Sequence, residues 1–236
     1  RATCSAIMSS SIAEQVALWR EKLNDASARW GEVEICAVTK TVDVDTINQA
    51  WDAGIRVIGE NRVQELSGKL DKLNKGFDIH LIGHLQSNKV KNIIGHVSTV
   101  QSLDSVELAR IISRRSVEQG IVTKVLLQVN IGNEPQKSGV KEEQILALLR
   151  EIAAFPGIAV NGLMAIMPFV DNPEDVRPLF KRMRAWFDRL RDEPIEGIEM
   201  KTLSMGMSDD CLVAAQEGAT MVRLGRALFG ARPPMH

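Results

Sequence analysis

The 236-residue chain contains no tyrosine, only three cysteines and no long hydrophobic run. The cysteines (Cys4, Cys36 and Cys211) are odd in number and show no C-x-x-C spacing, which favours reduced thiols in a cytoplasmic protein over a disulfide framework. No apolar run approaches the ~18 residues of a membrane-spanning helix, and no early segment resembles a secretory signal. We therefore expect a cytoplasmic protein without a membrane partner.

An excess of charge of one sign is also missing. The 29 basic and 30 acidic side chains leave a formal net charge of -1. General nucleic-acid binders usually carry a basic excess, so nucleic acid is not expected as a partner. No Gly-, Ser- or Pro-rich linker divides the chain, so we expect one domain over residues 11–236. Residues 1–10 are expected to be disordered or left over from expression or processing, because Met8 could be the natural start.

Apolar, strand-like runs alternate with helical patterns along the chain. Ser11 and Glu14 predict a capping box that opens an N-terminal helix before the first strand. Apolar residues recur at helical spacing most clearly over Val106–Ser116, Lys141–Ala153 and Val176–Leu190. The predicted strands are Val33–Val38, Ile55–Ile58, Asp78–Ile82, Val97–Gln101, Thr123–Asn130, Ile158–Met164, Ile198–Leu203 and Thr220–Leu224.

About eight β-then-α units in roughly 200 residues favour a closed (β/α)8 barrel of the TIM type, with an extra N-terminal helix and no second domain. An open, doubly wound sheet is the alternative. In a barrel the functional residues follow the strands at the C-terminal face. Five polar runs do so here and are expected to share one site: Ala37 to Lys40, Gly59 to Asn61, Ile82 to Lys89, Leu203 to Asp210, and Val222 to Gly230.

Lys40 lies at the exit of the first predicted strand. Counting back by two puts Cys36 and Val38 in phase with it, so its stem is predicted to rise from the barrel interior. A partly desolvated lysine loses its charge more readily and becomes a nucleophilic amine. A rim lysine that extends its ammonium group into water is the structural alternative.

Two runs near the end of the chain combine groups that bind anions. Gly206 allows close backbone approach, while Ser204 and Ser208 add hydroxyls before a helix; an ordinary connection with Ser208 as N-cap is the alternative. Arg226 follows Gly225 in the first turn of the next helix, where the helix dipole disfavours a cation unless an anion is close. The connections after strands seven and eight are a common phosphate position in barrels.

Arg223 alternates with Met221 and Gly225, so it is predicted to point inward and reach a ligand ring. Pairing with Glu60 or another acid is the alternative. A metal site is not expected, because His80 and His84 straddle a strand end without matching carboxylate or cysteine spacing.

A lysine opposite a phosphate cradle suggests a Schiff base to a phosphorylated aldehyde, for which pyridoxal 5′-phosphate (PLP) is the leading candidate. A Schiff-base aldolase acting on a sugar phosphate is a further alternative.

These runs, in this order, resemble the PLP homeostasis proteins of the YggS/PROSC type over nearly the whole chain, residues 12–232. The resemblance rests on Ala37 to Thr41, Gly59 to Glu65, His80 to Lys89, Gly162 to Ile166, Leu203 to Asp210 and Phe229 to Arg232.

The resemblance implies a single barrel like the N-terminal domain of alanine racemase, with PLP held as a Schiff base on Lys40. The arginine that faces the pyridine nitrogen corresponds to Arg223, and Asn61 and Met164 match other positions that line the cofactor. The phosphate is expected on the loop of Ser204, Met205, Gly206 and Met207 and on the backbone of Gly225 and Arg226.

The resemblance also implies a carrier or buffer of PLP, acting in vitamin B6 and amino-acid homeostasis, with no catalytic residue. Racemisation on the related barrel needs a tyrosine from a second domain, and this chain contains no tyrosine. Arg223 would not protonate the ring nitrogen at neutral pH, which weakens the ring as an electron sink. A PLP-dependent amino-acid racemase or lyase, with His84 as substitute acid, is the alternative. PLP-dependent apo-enzymes are candidate partners, and a monomer or weak dimer is expected.

Overall fold

The computed structural model describes residues 11–193 and 195–230, which form one barrel of parallel strands. The strands are β1 Glu34–Val38, β2 Val57–Glu60, β3 Asp78–Leu81, β4 Thr99–Leu103, β5 Thr123–Val129, β6 Ile158–Ala165, β7 Ile198–Met207 and β8 Met221–Leu224. Each strand pairs with the next, and β8 pairs with β1, so the sheet closes on itself. The predicted barrel is confirmed, and the open sheet is excluded.

Helices connect most of the strands on the outside of the barrel. They are α1 Ile12–Ala26, α2 Val44–Asp52, α3 Val63–Lys69, α4 Val106–Glu118, α5 Ile145–Ile152, α6 Arg177–Asp192, α7 Cys211–Gln216 and α8 Arg226–Phe229. A 3-10 helix, Ser87–Asn92, replaces the α-helix after β3. Single 3-10 turns also precede α5 and α6. The helices predicted from Lys141 and Val176 are therefore confirmed, but the α-helical part of each begins after such a turn.

The predicted N-terminal helix and its capping box are confirmed in α1. The Ser11 hydroxyl accepts from the Glu14 N–H at 3.2 Å, and the Glu14 carboxylate accepts from the Ser11 N–H at 2.8 Å. Val16 and Leu23 are buried, and α1 packs against α2, α7 and α8. The helix therefore brings the beginning of the described chain against its end.

The inside of the barrel beside β1 is a separate small apolar cluster of Cys36, Val38, Val57, Ile82 and Met221. Most of the remaining core lies between the sheet and the helices. The inward phase predicted for Cys36 and Val38 is thus confirmed. A side chain at Gly59 would lie 2.8 Å from the Cys36 sulfur, so the missing side chain makes room for this cluster.

The seventh strand is longer than predicted. It continues through Ser204 to Met207, where a loop is expected from the sequence, and its register with β8 shifts between these two residues. Gly206 has φ +93°, a left-handed conformation that glycine adopts without strain and that bends the strand there. Ser208 is not the N-cap of α7, because that position belongs to Asp210.

Two expectations, for residues 1–10 and for Arg232, fall outside the described residues. Within residues 11–193 and 195–230, no helix combines the length and the apolar character needed to cross a bilayer.

Candidate functional site

A cavity of about 170 Å³ opens at the C-terminal end of the barrel, where β1 and β8 meet. It brings Lys40, from the early part of the chain, together with residues from β7, β8 and α8. Five of the predicted cofactor ligands therefore line one cavity. Its lining residues are Val38, Lys40, Met207, Ser208, Asp209, Arg223, Gly225 and Arg226.

Lys40 lies two residues after the end of β1 and is half-buried. The inward-facing Cys36 and Val38 precede it at intervals of two, and Cys36 lies opposite Arg223 in the β1–β8 ladder. The side chain of Lys40 thus reaches the cavity from the same side of the barrel as Arg223.

Arg223 is buried inside the barrel, with 3% of its surface exposed. Its guanidinium donates to the Ser204 hydroxyl at 2.7 Å and to the Ala165 carbonyl at 2.8 Å, and neither acceptor carries a charge. Burial lowers the pKa of Arg223, although the nearby Cys36 and Asp210 oppose that shift. The alternative pairing with Glu60 is wrong, since Glu60 pairs with Lys69 instead.

A chain of hydrogen bonds continues from Arg223 down the barrel axis. The Ser204 hydroxyl donates to Oε1 of Gln101 at 2.6 Å, and Nε2 of Gln101 lies 2.8 Å from Nδ1 of His80. Nε2 of His80 is 3.4 Å from the Asp78 carboxylate. Ser204 is fully buried, and its hydroxyl accepts from Arg223 and donates to Gln101. Its predicted role as a phosphate ligand is therefore not supported by its side chain, which positions Arg223.

Gln101 is a site residue that the sequence pattern does not identify. It is fully buried in β4, and its amide joins Ser204 to His80. The signal is a polar residue inside an otherwise apolar strand, since buried polar groups require hydrogen-bond partners. The partners themselves come from other strands and are not visible in the local sequence.

The other residues of the predicted phosphate loop face in different directions. Met205 is fully buried in the core between sheet and helices, so its side chain points away from the barrel interior. A side chain at Gly206 would lie 2.6 Å from the Ala214 Cβ atom, which shows that Gly206 packs against α7. Only Met207, which is 40% exposed, lines the Lys40 cavity.

Arg226 has an anionic partner within the chain. Its guanidinium donates to the Asp209 carboxylate at 2.6 Å, and both side chains are exposed. Asp209 thus supplies the close anion that the helix-dipole argument requires, and binding of a phosphate by Arg226 stays a prediction. Beside it, the Ala227 N–H donates to the Ser208 hydroxyl at 3.3 Å, and the carbonyl of Gly225 accepts from α8.

Asn61 and Met164 lie outside this lining. Asn61 borders a second cavity of about 320 Å³ at the same barrel end, and its buried Oδ1 has no hydrogen-bond partner among the described residues. Met164 is fully buried and lies beside Ser204 in the β6–β7 ladder. Neither residue is among those that line the Lys40 cavity.

The histidines do not form a metal centre in the described part of the chain. His80 is part of the chain of hydrogen bonds inside the barrel. His84 is exposed, and its Nδ1 is 3.6 Å from the Asp104 carboxylate. No three or more His, Cys, Asp or Glu side chains within residues 11–193 and 195–230 are grouped as metal ligands.

The protein is of the single-barrel class: one closed barrel of eight parallel strands, with Lys40 after β1 and the buried Arg223 on β8. The family model for the N-terminal domain of alanine racemase matches residues 14–233. A pyridoxal phosphate homeostasis protein of Aquifex aeolicus is 43% identical over 218 residues, covering 90% of this chain and 94% of that protein. The chain therefore belongs to the pyridoxal phosphate homeostasis family of alanine racemase N-terminal-type barrels.

Two further relatives agree in length and fold. The pyridoxal phosphate homeostasis protein of Escherichia coli K12 is 35% identical over 231 residues. The matched region covers 94% of this chain and 97% of that protein. The structure of PipY from Synechococcus elongatus with PLP bound is 33% identical, with a TM-score of 0.80. The matched region covers 93% of this chain and 100% of the PipY chain. The predicted resemblance is confirmed.

Proposed function

We propose that this protein binds PLP in the cavity between Lys40 and Arg226 and serves PLP homeostasis as a carrier or buffer rather than as a catalyst. The observation that carries the proposal is the position of Arg223. It is a buried cation that lines the same cavity as Lys40 and bonds only to neutral acceptors in the described structure. A buried guanidinium is stabilised by a further acceptor, which the nitrogen of a pyridine ring supplies.

The residues that line the cavity fit the two ends of PLP, its aldehyde and its phosphate. When bound, the cofactor supplies an aldehyde and a phosphate dianion. Lys40 would hold the aldehyde end through its amine, which such a carbonyl group takes up with loss of one water molecule. Ser208, Gly225 and Arg226 line the same cavity, where their polar groups would bind the phosphate.

The same residues favour holding the cofactor over using it. An arginine remains protonated, so Arg223 donates a hydrogen bond to a ring nitrogen but does not transfer its proton. The chain contains no tyrosine to act as the second base of a racemase. Carbanion chemistry therefore has neither a strong electron sink nor the opposing base. Apo-enzymes that need PLP are the proposed recipients, in the cytoplasm.

The proposal is tested by absorption spectroscopy and borohydride trapping of the purified protein with PLP. We expect a yellow band and one trapped lysine, identified as Lys40 by peptide mapping. Lys40→Ala should abolish both, whereas Lys201→Ala, at the opposite barrel mouth, should change neither. A colourless protein, or equal trapping at another lysine, would overturn the assignment. Robust turnover of a panel of L-amino acids by the PLP-loaded protein would contradict the carrier role.

A further inference from the structure

A cluster of three charges lies behind Lys40, on the helix side of β1 and β2; two of them, Glu60 and Lys69, are buried, and Glu65 is partly exposed. The ammonium group of Lys69, at the end of α3, donates to the Thr39 carbonyl at 2.8 Å. It also donates to the Glu60 carboxylate at 3.0 Å and to the Glu65 carboxylate at 2.6 Å. All three of its protons are thus used on acceptors around the end of β1.

This cluster binds the backbone on both sides of Lys40. The Thr39 carbonyl, which accepts from Lys69, belongs to the peptide group that precedes Lys40. The Thr41 N–H, which belongs to the peptide group that follows, donates to Oε1 of Glu65 at 2.6 Å. Two fixed peptide planes determine the direction in which the Lys40 side chain leaves the backbone.

Thr41 adopts a conformation that it would not choose alone. Its φ is +62°, in the left-handed region, which is strained for a β-branched residue. Strained backbone persists only where the surrounding structure fixes it. The hydrogen bond to Glu65 provides that restraint, and its loss would let Thr41 relax and rotate the peptide group next to Lys40.

The cluster is also electrostatically suited to this role. Burial alone would raise the pKa of Glu65, but the hydrogen bonds from Lys69 and Thr41 outweigh it, so the pKa is lowered. Glu65 therefore stays ionised at neutral pH and keeps accepting from both partners. Glu60 is fully buried, and burial raises its pKa, while Thr39 and Lys69 oppose the shift.

We propose that Glu65 and Lys69 are positioning residues for Lys40, which orient its amine toward the aldehyde. This inference rests on the proposed function of Lys40 and names the residues that prepare it. A displacement of about 1 Å from the attacking geometry can slow a reaction by roughly a hundredfold. Neither residue lines the Lys40 cavity, so their effect is exerted through the backbone.

The test compares Glu65→Ala, Glu65→Gln and the double variant Glu65→Ala with Thr41→Gly. The measured quantities are the rate of PLP condensation by stopped-flow absorption and, in the apo-protein, the rate at which acetic anhydride labels Lys40. We expect condensation by Glu65→Ala to slow by about tenfold or more. Glu65→Gln, which can still accept from Thr41, should lose less. Thr41→Gly should recover part of the loss, because glycine adopts positive φ without strain.

The matched control is Asp188→Ala, which removes another helix carboxylate paired with a cation four residues away, Arg184, far from Lys40. It should leave the condensation rate within about twofold, as expected for a distant, independent site.

Urea unfolding of each apo-protein separates folding from positioning. If Glu65→Ala does not fold, Glu65→Gln and Lys69→Met are compared instead, and a slowed rate in Lys69→Met is required. A folded variant of Glu65 or Lys69 with the wild-type rate overturns the inference. Failure of the wild type itself to condense at Lys40 overturns the proposed function instead.

Discussion

The guanidinium of Arg223 and the hydroxyl of Ser204 are joined by a 2.7 Å hydrogen bond inside the barrel. Ser204 passes the interaction on by donating to Gln101, which contacts His80. The buried cation therefore bonds directly to a hydroxyl and a backbone carbonyl rather than to a carboxylate. Such an arrangement fixes the position of the charge and leaves it able to attract a further acceptor.

Ser204→Ala should destabilise the protein, because it leaves donor protons of Arg223 and the oxygen of Gln101 without their partner. We expect a loss of about 1–3 kcal/mol in the free energy of unfolding, measured by urea denaturation. PLP affinity should fall as well. Ser102→Ala is the matched control, since Ser102 is equally buried but its hydroxyl has no hydrogen-bond partner among the described residues. The control should be neutral or stabilising, and equal losses in both variants would contradict the role of the interior chain.

The sequence predicts the barrel, the phase of β1 and the place of Lys40 because these depend on local patterns. Alternation by two puts Cys36, Val38 and Lys40 on one face, and the polar residues after each strand meet at the same barrel end. Closure of the sheet then brings Lys40 to Gly225 and Arg226.

The individual contacts of the site depend on features that local patterns do not carry. The phosphate role predicted for Ser204 assumes that β7 ends at Leu203, but the strand continues and turns the hydroxyl toward Gln101. Likewise, the partner of Arg226 is Asp209, which lies in the connection between β7 and α7 and not in the helix that Arg226 begins. Both contacts join side chains of separate elements, and the register of the closed barrel determines them; the phosphate roles of Ser204 and Arg226 stay predictions.

Gly206→Ala should be strongly destabilising for a structural reason. The new methyl group would lie 2.6 Å from the Ala214 Cβ atom and 3.1 Å from the Cys211 Cα atom, at a residue with φ +93°. Overpacking of this kind costs typically about 1–3 kcal/mol, and the backbone strain adds to it. Gly68→Ala, in α3, is the control because its methyl group would meet nothing within 4 Å. Replacing a helical glycine there should stabilise by about 0.4–1 kcal/mol. Thermal or urea unfolding that ranks the two variants in the reverse order would contradict this packing.

The thiols of Cys36 and Cys211 should resist alkylation in the folded protein. Burial raises the pKa of Cys36 to about 12, and that of Cys211 to about 12. At pH 8, four units below that pKa, roughly one thiol in ten thousand is ionised. Since only the thiolate reacts with the reagent, alkylation should be slow. Iodoacetamide at pH 8, followed by peptide mass spectrometry, should label both residues only after unfolding in guanidinium. Rapid labelling of Cys36 in the native protein would show that the barrel interior beside β1 is open to solvent.

Arg226 and Asp209 offer a pair of variants with opposite expected effects on PLP. Their ion pair is exposed, and pairs of this kind contribute only about 0–1 kcal/mol, so neither Arg226→Ala nor Asp209→Ala should change stability much. If Arg226 binds the phosphate, Arg226→Ala should weaken PLP affinity by about tenfold, the equivalent of one charge-assisted hydrogen bond. Asp209→Ala removes a competing anion and should leave affinity unchanged or increased. Equilibrium titration of the apo-proteins with PLP, at low and high salt, measures both. Equal weakening by the two variants would mean that the ion pair shapes the cavity as a unit, and that the phosphate is bound elsewhere.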